Sequence, residues 1–342
     1  MKNVLASLSN NHIQEVFSMS ANTEKKADEK IKLGISACLM GQNVRYNGGH
    51  THDPFLTQTL GQYVDYVPVC PEVECGLPVP REAMRLVGDP LNPKLVTIKT
   101  GIDMTGQMKT WGKKRLIALE NENLCGFIFK SKSPSSGMER VKVYDKNGIP
   151  ANVGVGIWAR MFMDRFPLLP VEEEGRLHDP VLRENFIQRI FVFKRLLELK
   201  AQGVRRGSLV DFHTRHKLLI MSHSPAHYRE MGKFVADIKN LSLEAAYDGY
   251  AVLLNTAMSL RATIAKNVNV LMHIMGYFKK QLSPDEKQEL LEIIDQFKNH
   301  VVPMIVPITL INHYVRKYSE PYLKEQVYLT PHPAELGLRN HV

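Results

Sequence analysis

The sequence predicts two domains of different class: an α/β domain with a mainly parallel sheet over residues 31–165, and an all-α domain over residues 183–320. Two observations carry this. Short runs rich in β-branched and aromatic residues alternate with helix-length segments as far as about residue 165, whereas residues 183–318 show no strand-like alternation of any length. Between them VEEEGRLHDP (171–180) is polar and closed by proline, so residues 166–182 are expected to link the domains. A chain of 342 residues is long enough to bury a core in each.

Residues 1–30 are polar and lack the apolar stretch of a secretory signal, and are expected to form a disordered leader. No apolar run approaches the roughly 20 residues of a membrane helix. A cytoplasmic protein with no membrane partner is therefore expected. IKLGISA, VDYVPV, LVTIKT and GFIFK are the expected strands. Between the last two, TGQMKTWGKKRLIALENEN is long enough for a helix, with Met108, Trp111, Leu116 and Leu119 broadly on one side. Strand, crossover helix and next strand make the pattern of a parallel sheet. In the second half, VLRENFIQRIFVFKRLLELKAQG spaces Phe186, Ile190, Phe193 and Leu197 by three and four. Ser208 and Asp211 occupy capping-box-like positions, and Ser283, Pro284 and Glu286 repeat the device. Residues 321–342 read as a C-terminal tail.

Ligands of parallel sheets sit at the carboxyl ends of the strands. SACLMG follows the first strand, CPEVECG the second, and SKSPSSG follows GFIFK, so three loops of unusual chemistry share one edge. Cys38, Cys70 and Cys75 are buried small hydrophobes on the plain reading. Gathered at one edge, they also suit three irons of a cubane cluster or an incomplete zinc site. With four cysteines and no export signal, no structural disulfide is expected. Cys125 precedes its strand and reads as a buried thiol. Glu72 is the candidate general base beside such a centre, and Glu74 the solvated carboxylate. The serines of SKSPSSG offer hydroxyls and backbone N–H groups to an anion or polarised ligand. His50 and His52 are candidates for substrate contact. Asp211, His213, His216, His223 and His227 look like a metal nest, but capping and helical spacing account for them. Arg81 and Arg140 are expected to anchor loops through carboxylates, with contact to an anionic substrate as the alternative. The formal charge of +9 permits, without requiring, attraction to nucleic acid.

GISACLMGQNVRYNGGH, PVCPEVECGLPVPRE and GFIFKSKSPSSGMERVKVY, in that order, resemble the thiouracil desulfidase family (domain of unknown function 523). VLRENFIQRIFVFKRLL, NVLMHIMGYFKKQLS and ITLINHYV resemble the helical domain of unknown function 1722. The resemblance implies a [4Fe-4S] enzyme that removes sulfur from a small thiolated nucleobase without net redox change. It implies cluster ligands at Cys38 and Cys70, a catalytic carboxylate at Glu72 and a catalytic hydroxyl at Ser133. The family's third cysteine, in an S-P-S-C-G loop, is Ser136 here, and Cys75 is the expected replacement ligand. The alternatives are a nucleic-acid-binding protein that presents thiolated RNA to the same pocket, and a cluster-free or structural-metal relative.

Overall fold

The computed structural model describes residues 30–341. They divide into two compact units, the first ending at Asp179 and the second beginning at Pro180. The leader expected over residues 1–30 lies, except for Lys30, outside the described residues.

The first unit is α/β, as the sequence predicts. Strands β1 (Ile31–Ser36), β2 (Val64–Val69), β5 (Phe127–Phe129) and β8 (Val171–Glu173) form a parallel sheet in the order β2-β1-β5-β8. Gly34 lets β1 and β5 pack closely: a Cβ there would lie 2.2 Å from the Phe127 ring. A one-turn helix, α1 (Pro71–Glu74), follows β2. A second, mixed sheet was not foreseen. It contains β3 (Met84–Val87), β4 (Lys94–Thr97), β6 (Val141–Tyr144) and β7 (Pro150–Gly154), in the order β4-β3-β6-β7.

The expected strand LVTIKT belongs to this second sheet, antiparallel to β3, and not beside GFIFK. The reason is local. Gly88 takes a φ of 93° and Asp89 accepts the Leu91 N–H, so GDPLNPK closes a turn that folds β4 directly back on β3. The helix that follows, α2 (Thr105–Glu120), buries Met108, Leu116 and Leu119 as expected. Met108 joins Leu86, Leu95, Val141, Val143 and Ile157 in one apolar cluster, the last from α3 (Ile157–Arg165).

The segment expected as a linker supplies β8. Glu172, Glu173 and Glu174 are each at most 7% exposed. Burying three carboxylates in a row is tolerable only because each has a partner. Arg176 holds Glu172, the Met138 N–H donates to Glu173 at 2.8 Å, and Lys130 with Ser131 holds Glu174.

The second unit is helical throughout its described residues. Its helices are α4 (Pro180–Ala201), α5 (Arg206–His223), α6 (Pro225–Ala236), α7 (Leu243–Ser259), α8 (Ile264–Tyr277), α9 (Pro284–Lys298), α10 (Ile305–Lys317) and α11 (Pro321–Lys324). Helix α4 buries Phe186, Ile190 and Phe193, with Leu196 in the place expected of Leu197. The start of α5 falls before Ser208, whose hydroxyl accepts the Arg205 N–H at 3.0 Å, and Asp211 lies within the helix. Ser283 and Glu286 form the expected capping box on α9. The tail is not loose: Leu323, Tyr328 and Leu329 are buried, and Arg339 pairs with Glu184 on α4 at 3.0 Å. No helix among the described residues is long and apolar enough to cross a membrane.

The histidines of this unit form no metal nest. His213 meets the Tyr250 hydroxyl, His216 the Phe212 carbonyl, and His223 the Leu260 carbonyl and Gln188. His227 meets the Ser224 hydroxyl. Burial holds His213 and His223 down to about 4 and His216 to about 3. Their unfolded values are near 6.5, so the neutral folded forms contribute stability that is fully present above pH 6.5 and lost as pH falls towards 4. The urea midpoint of the full chain's helical transition should therefore fall between pH 7 and 4.5, with a shallower slope in His223→Gln. A midpoint equally steep in wild type and variant would remove His223 from this account.

Candidate functional site

Three loops leave the same edge of the parallel sheet. At the end of β1 the chain makes a single 3₁₀ turn, Ala37–Met40, closed by Gly41 at a φ of 86°. The Cys38 carbonyl accepts the Gly41 and Thr51 N–H groups, and its side chain is buried. At the end of β2, Cys70 immediately precedes α1. Glu74 accepts the Cys70 N–H at 2.9 Å and pairs with Arg115 at 3.2 Å. It is exposed, as expected of a solvated carboxylate, and also braces the turn.

At the end of β5 the Lys130 N–H donates to the Ser36 hydroxyl at 2.9 Å, tying the ends of β1 and β5 together. The following turn is fastened by the Ser133 hydroxyl, which accepts the N–H groups of Ser135 and Ser136. Gly156 backs this turn so closely that a Cβ there would lie 2.4 Å from the Ser135 carbonyl oxygen.

The loops enclose a cavity of about 440 Å³. Cys38, Cys70, Glu72, Ser133, Ser135 and Ser136 line it, together with Arg45, Arg81, Lys130 and Lys132. The Arg81 Nε donates to Glu72 Oε2 at 2.8 Å, and its Nη2 contacts the same oxygen. The Ser135 hydroxyl donates to Glu72 Oε1 at 2.8 Å and lies 3.0 Å from the Ser133 hydroxyl. A chain of hydroxyls therefore runs from Ser133 to the carboxylate. Burial pushes the Cys38 thiol up to about 11, against the opposing pull of Lys130 and Arg45 and with a further rise from Cys70. Burial also raises Cys70, although the Val73 N–H works the other way. Both sulfurs thus sit where a neighbouring cationic centre would be needed to favour the thiolate.

Of the residues singled out from sequence, Cys38, Cys70, Glu72 and Ser133 meet at this cavity. Cys75 is not among its lining residues. Its thiol donates to the Glu72 carbonyl at 3.2 Å and its side chain packs against the Leu86–Met108 cluster. Among the described residues no three His, Cys, Asp or Glu side chains are gathered as if to hold a metal ion. His50 and His52 do not line the cavity. His52 meets the Thr57 hydroxyl and His50 accepts the His52 N–H. Cys125 is buried at the approach to β5, its N–H paired with the Lys32 carbonyl. Sequence reasoning included Ser135 among the hydroxyls of SKSPSSG but missed Lys130 and Arg45, for which position at the strand ends was the available signal.

An α/β unit with two thiols, a braced carboxylate and a serine turn at one sheet edge, followed by a helical unit, defines a two-part protein whose candidate site lies in the first part. Residues 33–174 match the family model described as 2-thiouracil desulfurase, and residues 217–333 match that of a protein of unknown function, DUF1722. The chain belongs to the 2-thiouracil desulfurase family through its N-terminal domain and carries a DUF1722 domain C-terminally. It is 36% identical over 158 residues to "Uncharacterized protein YbgA" of Escherichia coli (strain K12), covering 46% of this chain and 94% of that protein. It is 34% identical over 112 residues to "Uncharacterized protein YbbK" of Bacillus subtilis (strain 168), covering 30% of this chain and 71% of that protein. The solved structure of the [4Fe-4S]-dependent thiouracil desulfidase TudS matches with 26% identity and a TM-score of 0.36, over 45% of this chain and 98% of that one.

The Arg81 and Glu72 side chains are 4% and 14% exposed, so the pair is shielded from water. Arg81→Met should destabilise the first unit by about 3 kcal/mol, because it strands a shielded carboxylate. Chemical denaturation of the full chain measures this; a loss under about 1 kcal/mol would mark the contact as energetically equivalent to a surface pair.

Proposed function

We propose that the first unit removes sulfur from a thiolated nucleobase such as a thiouracil. Water replaces sulfur at the thiocarbonyl carbon: one C=S group and one water become one C=O group and one hydrogen sulfide, with no net change of redox state. The single observation that supports this most is the meeting of Cys38, Cys70, Glu72 and the Ser133–Ser136 turn around one small cavity.

An iron–sulfur cluster fits the chemistry of the donors there. Cys38 is buried with no hydrogen bond to its sulfur among the described residues. The Cys70 sulfur meets only backbone groups, the Val44 carbonyl at 3.8 Å and the N–H groups at the start of α1. Both sulfurs are thus available to iron, and Cys38 and Cys70 would hold the group. When bound, a [4Fe-4S] cluster would supply a Lewis acid that draws electrons from a thiocarbonyl.

The remaining work falls to the chain. Glu72 accepts the proton of the attacking water, its orientation set by Arg81 on one oxygen and Ser135 on the other. Ser133 and Ser135 form a short hydroxyl relay that can pass a proton between the carboxylate and the ring of the substrate. Arg45, Lys130 and Lys132 line the cavity with positive charge, which favours negative charge as it develops on the leaving sulfur. A single base is small and needs only a few directed hydrogen bonds in a cavity of this kind, as small-molecule sites generally provide.

A second reading, thiolated RNA as the substrate, is favoured by one feature of the cavity mouth. Tyr46, 44% exposed, and Arg81 also line an open groove with Asn47, Pro80 and Lys99, where the backbone flanking a base could lie. Salt separates the two. Polynucleotide binding through phosphates weakens steeply from low to moderate salt, whereas turnover of a free base responds little.

Glu72→Gln should lower turnover of thiouracil by about 10²–10⁴-fold, the usual worth of a positioned general base, while iron and acid-labile sulfide content stay at the wild-type level. Anaerobic purification, iron and sulfide analysis and product detection decide it. Full activity in this variant would remove Glu72 from the reaction.

A further inference from the structure

Of the cations that line the cavity, Arg81, Lys130 and Arg45 have partners within the protein. Arg81 holds Glu72 through its Nε at 2.8 Å and the Val44 carbonyl through its Nη2. The Lys130 ammonium is shared among Glu174, the Ser131 hydroxyl and the Ser131 carbonyl, which takes up its three N–H groups. Arg45 donates to the Thr51 hydroxyl at 2.9 Å. Lys132 differs: its ammonium meets no partner among the described residues.

Lys132 also stands in a costly backbone conformation. Its φ is 58°, in the left-handed region that glycine occupies freely and a residue with a side chain does not. Its neighbours impose this. Ser131 is held from behind by Glu174 through both its N–H and its hydroxyl. The Ser133 carbonyl accepts the Gly137 N–H at 2.8 Å, and its hydroxyl accepts the N–H groups of Ser135 and Ser136. Lys132 is exposed, so packing of its side chain does not account for the strain. Strain held between two clamps on the wall of a site points to a use for the side chain there.

Building on the desulfuration reading above, we propose that Lys132 is the general acid of the reaction, the group that protonates the leaving sulfur. Glu72 removes one proton from water as the C–O bond forms and the π electron pair of the thiocarbonyl moves onto sulfur. The C–S bond then breaks with its electron pair staying on sulfur. A Lys132 N–H gives that sulfur a proton, and hydrosulfide departs. The proton left on the new oxygen returns to the Lys132 amine, Glu72 releases its own to solvent, and no electrons change hands. Lys130 could take this part only by giving up Glu174, and Arg81 only by freeing Glu72. A guanidinium, moreover, does not give up its proton in a protein.

The test uses the full chain, reconstituted anaerobically with iron and sulfide and freed of excess sulfide by gel filtration, with 2-thiouracil as substrate. Wild type is compared with Lys132→Ala, Lys132→Arg and Lys132→Gly for uracil and sulfide formed, iron content and urea midpoint. Lys132→Ala should lower kcat about 10²-fold, the low end for a positioned acid, with KM and iron content unchanged. Methylammonium in the buffer should restore part of that loss. Tetramethylammonium, which has the charge but no proton to give, should restore none. Lys132→Arg should be as slow as Lys132→Ala. Lys132→Gly should be equally slow while its urea midpoint stands at or above that of wild type, because glycine relieves the backbone. Full turnover in Lys132→Ala, full recovery in Lys132→Arg, or equal rescue by the two ammonium ions overturns the assignment and leaves the desulfuration reading intact. If wild type itself forms neither uracil nor sulfide, the desulfuration reading fails, and the assignment with it.

Discussion

Strand β1 lies between β2 and β5, and all three run parallel, so the chain must leave each of them at the same edge. That constraint places Cys38, Cys70 and the serine turn together; no interaction among those side chains is needed to bring them there. Close approach of β1 to β5 makes the edge narrow. Gly34 allows it, because any side chain at that position would enter the Phe127 ring. The Ser36–Lys130 hydrogen bond then fixes the two strand ends relative to each other. Remote packing under the sheet thus sets the separation of groups at its edge, as in other open parallel sheets whose ligands sit beyond the strand ends.

Much of this was legible in the sequence, and the parts that were not share a physical cause. The runs IKLGIS, VDYVPV and FIF carry the β-branched and aromatic residues of buried parallel strands, so their loops could be assigned to one edge. By contrast β8 reads VEE, a polar run that becomes a buried strand through partners far away in sequence: Met138 for Glu173, Lys130 and Ser131 for Glu174. Periodicity has no access to such partners. Strands β6 and β7 are short, and β7 is exposed along most of its length, which leaves little pattern to read. The site shows the same division. Loop membership could be inferred, but side-chain direction could not, and Cys75 illustrates the difference. It lies five residues from Cys70, on the far side of a one-turn helix, and there its sulfur meets the second sheet, whose existence the sequence did not announce.

Polar groups near the cavity are organised as two separate systems. Glu174 binds Lys130 and the Ser131 N–H and hydroxyl, which stiffens the start of the serine turn from behind. Glu72 binds Arg81 and Ser135, which stiffens the side facing the cavity. Each buried carboxylate is matched by a cation and by hydroxyl or N–H donors, the condition under which shielded charges hold their place.

Arg81 links these observations to chemistry. Its Nη2 donates to the Val44 carbonyl at 2.8 Å while its Nε holds Glu72, so one guanidinium ties the loop after β1 to the turn after β2. A lysine has the charge but not the planar fork, and could not hold both loops in this way. Because the link is made within the protein, the carboxylate is already aimed before any ligand enters. Orientation of that kind matters most where charge develops during a reaction, since donors and acceptors already in place need no reorganisation at that moment. The strand edge assembles the groups, and Arg81 removes the freedom that would otherwise remain to the carboxylate among them.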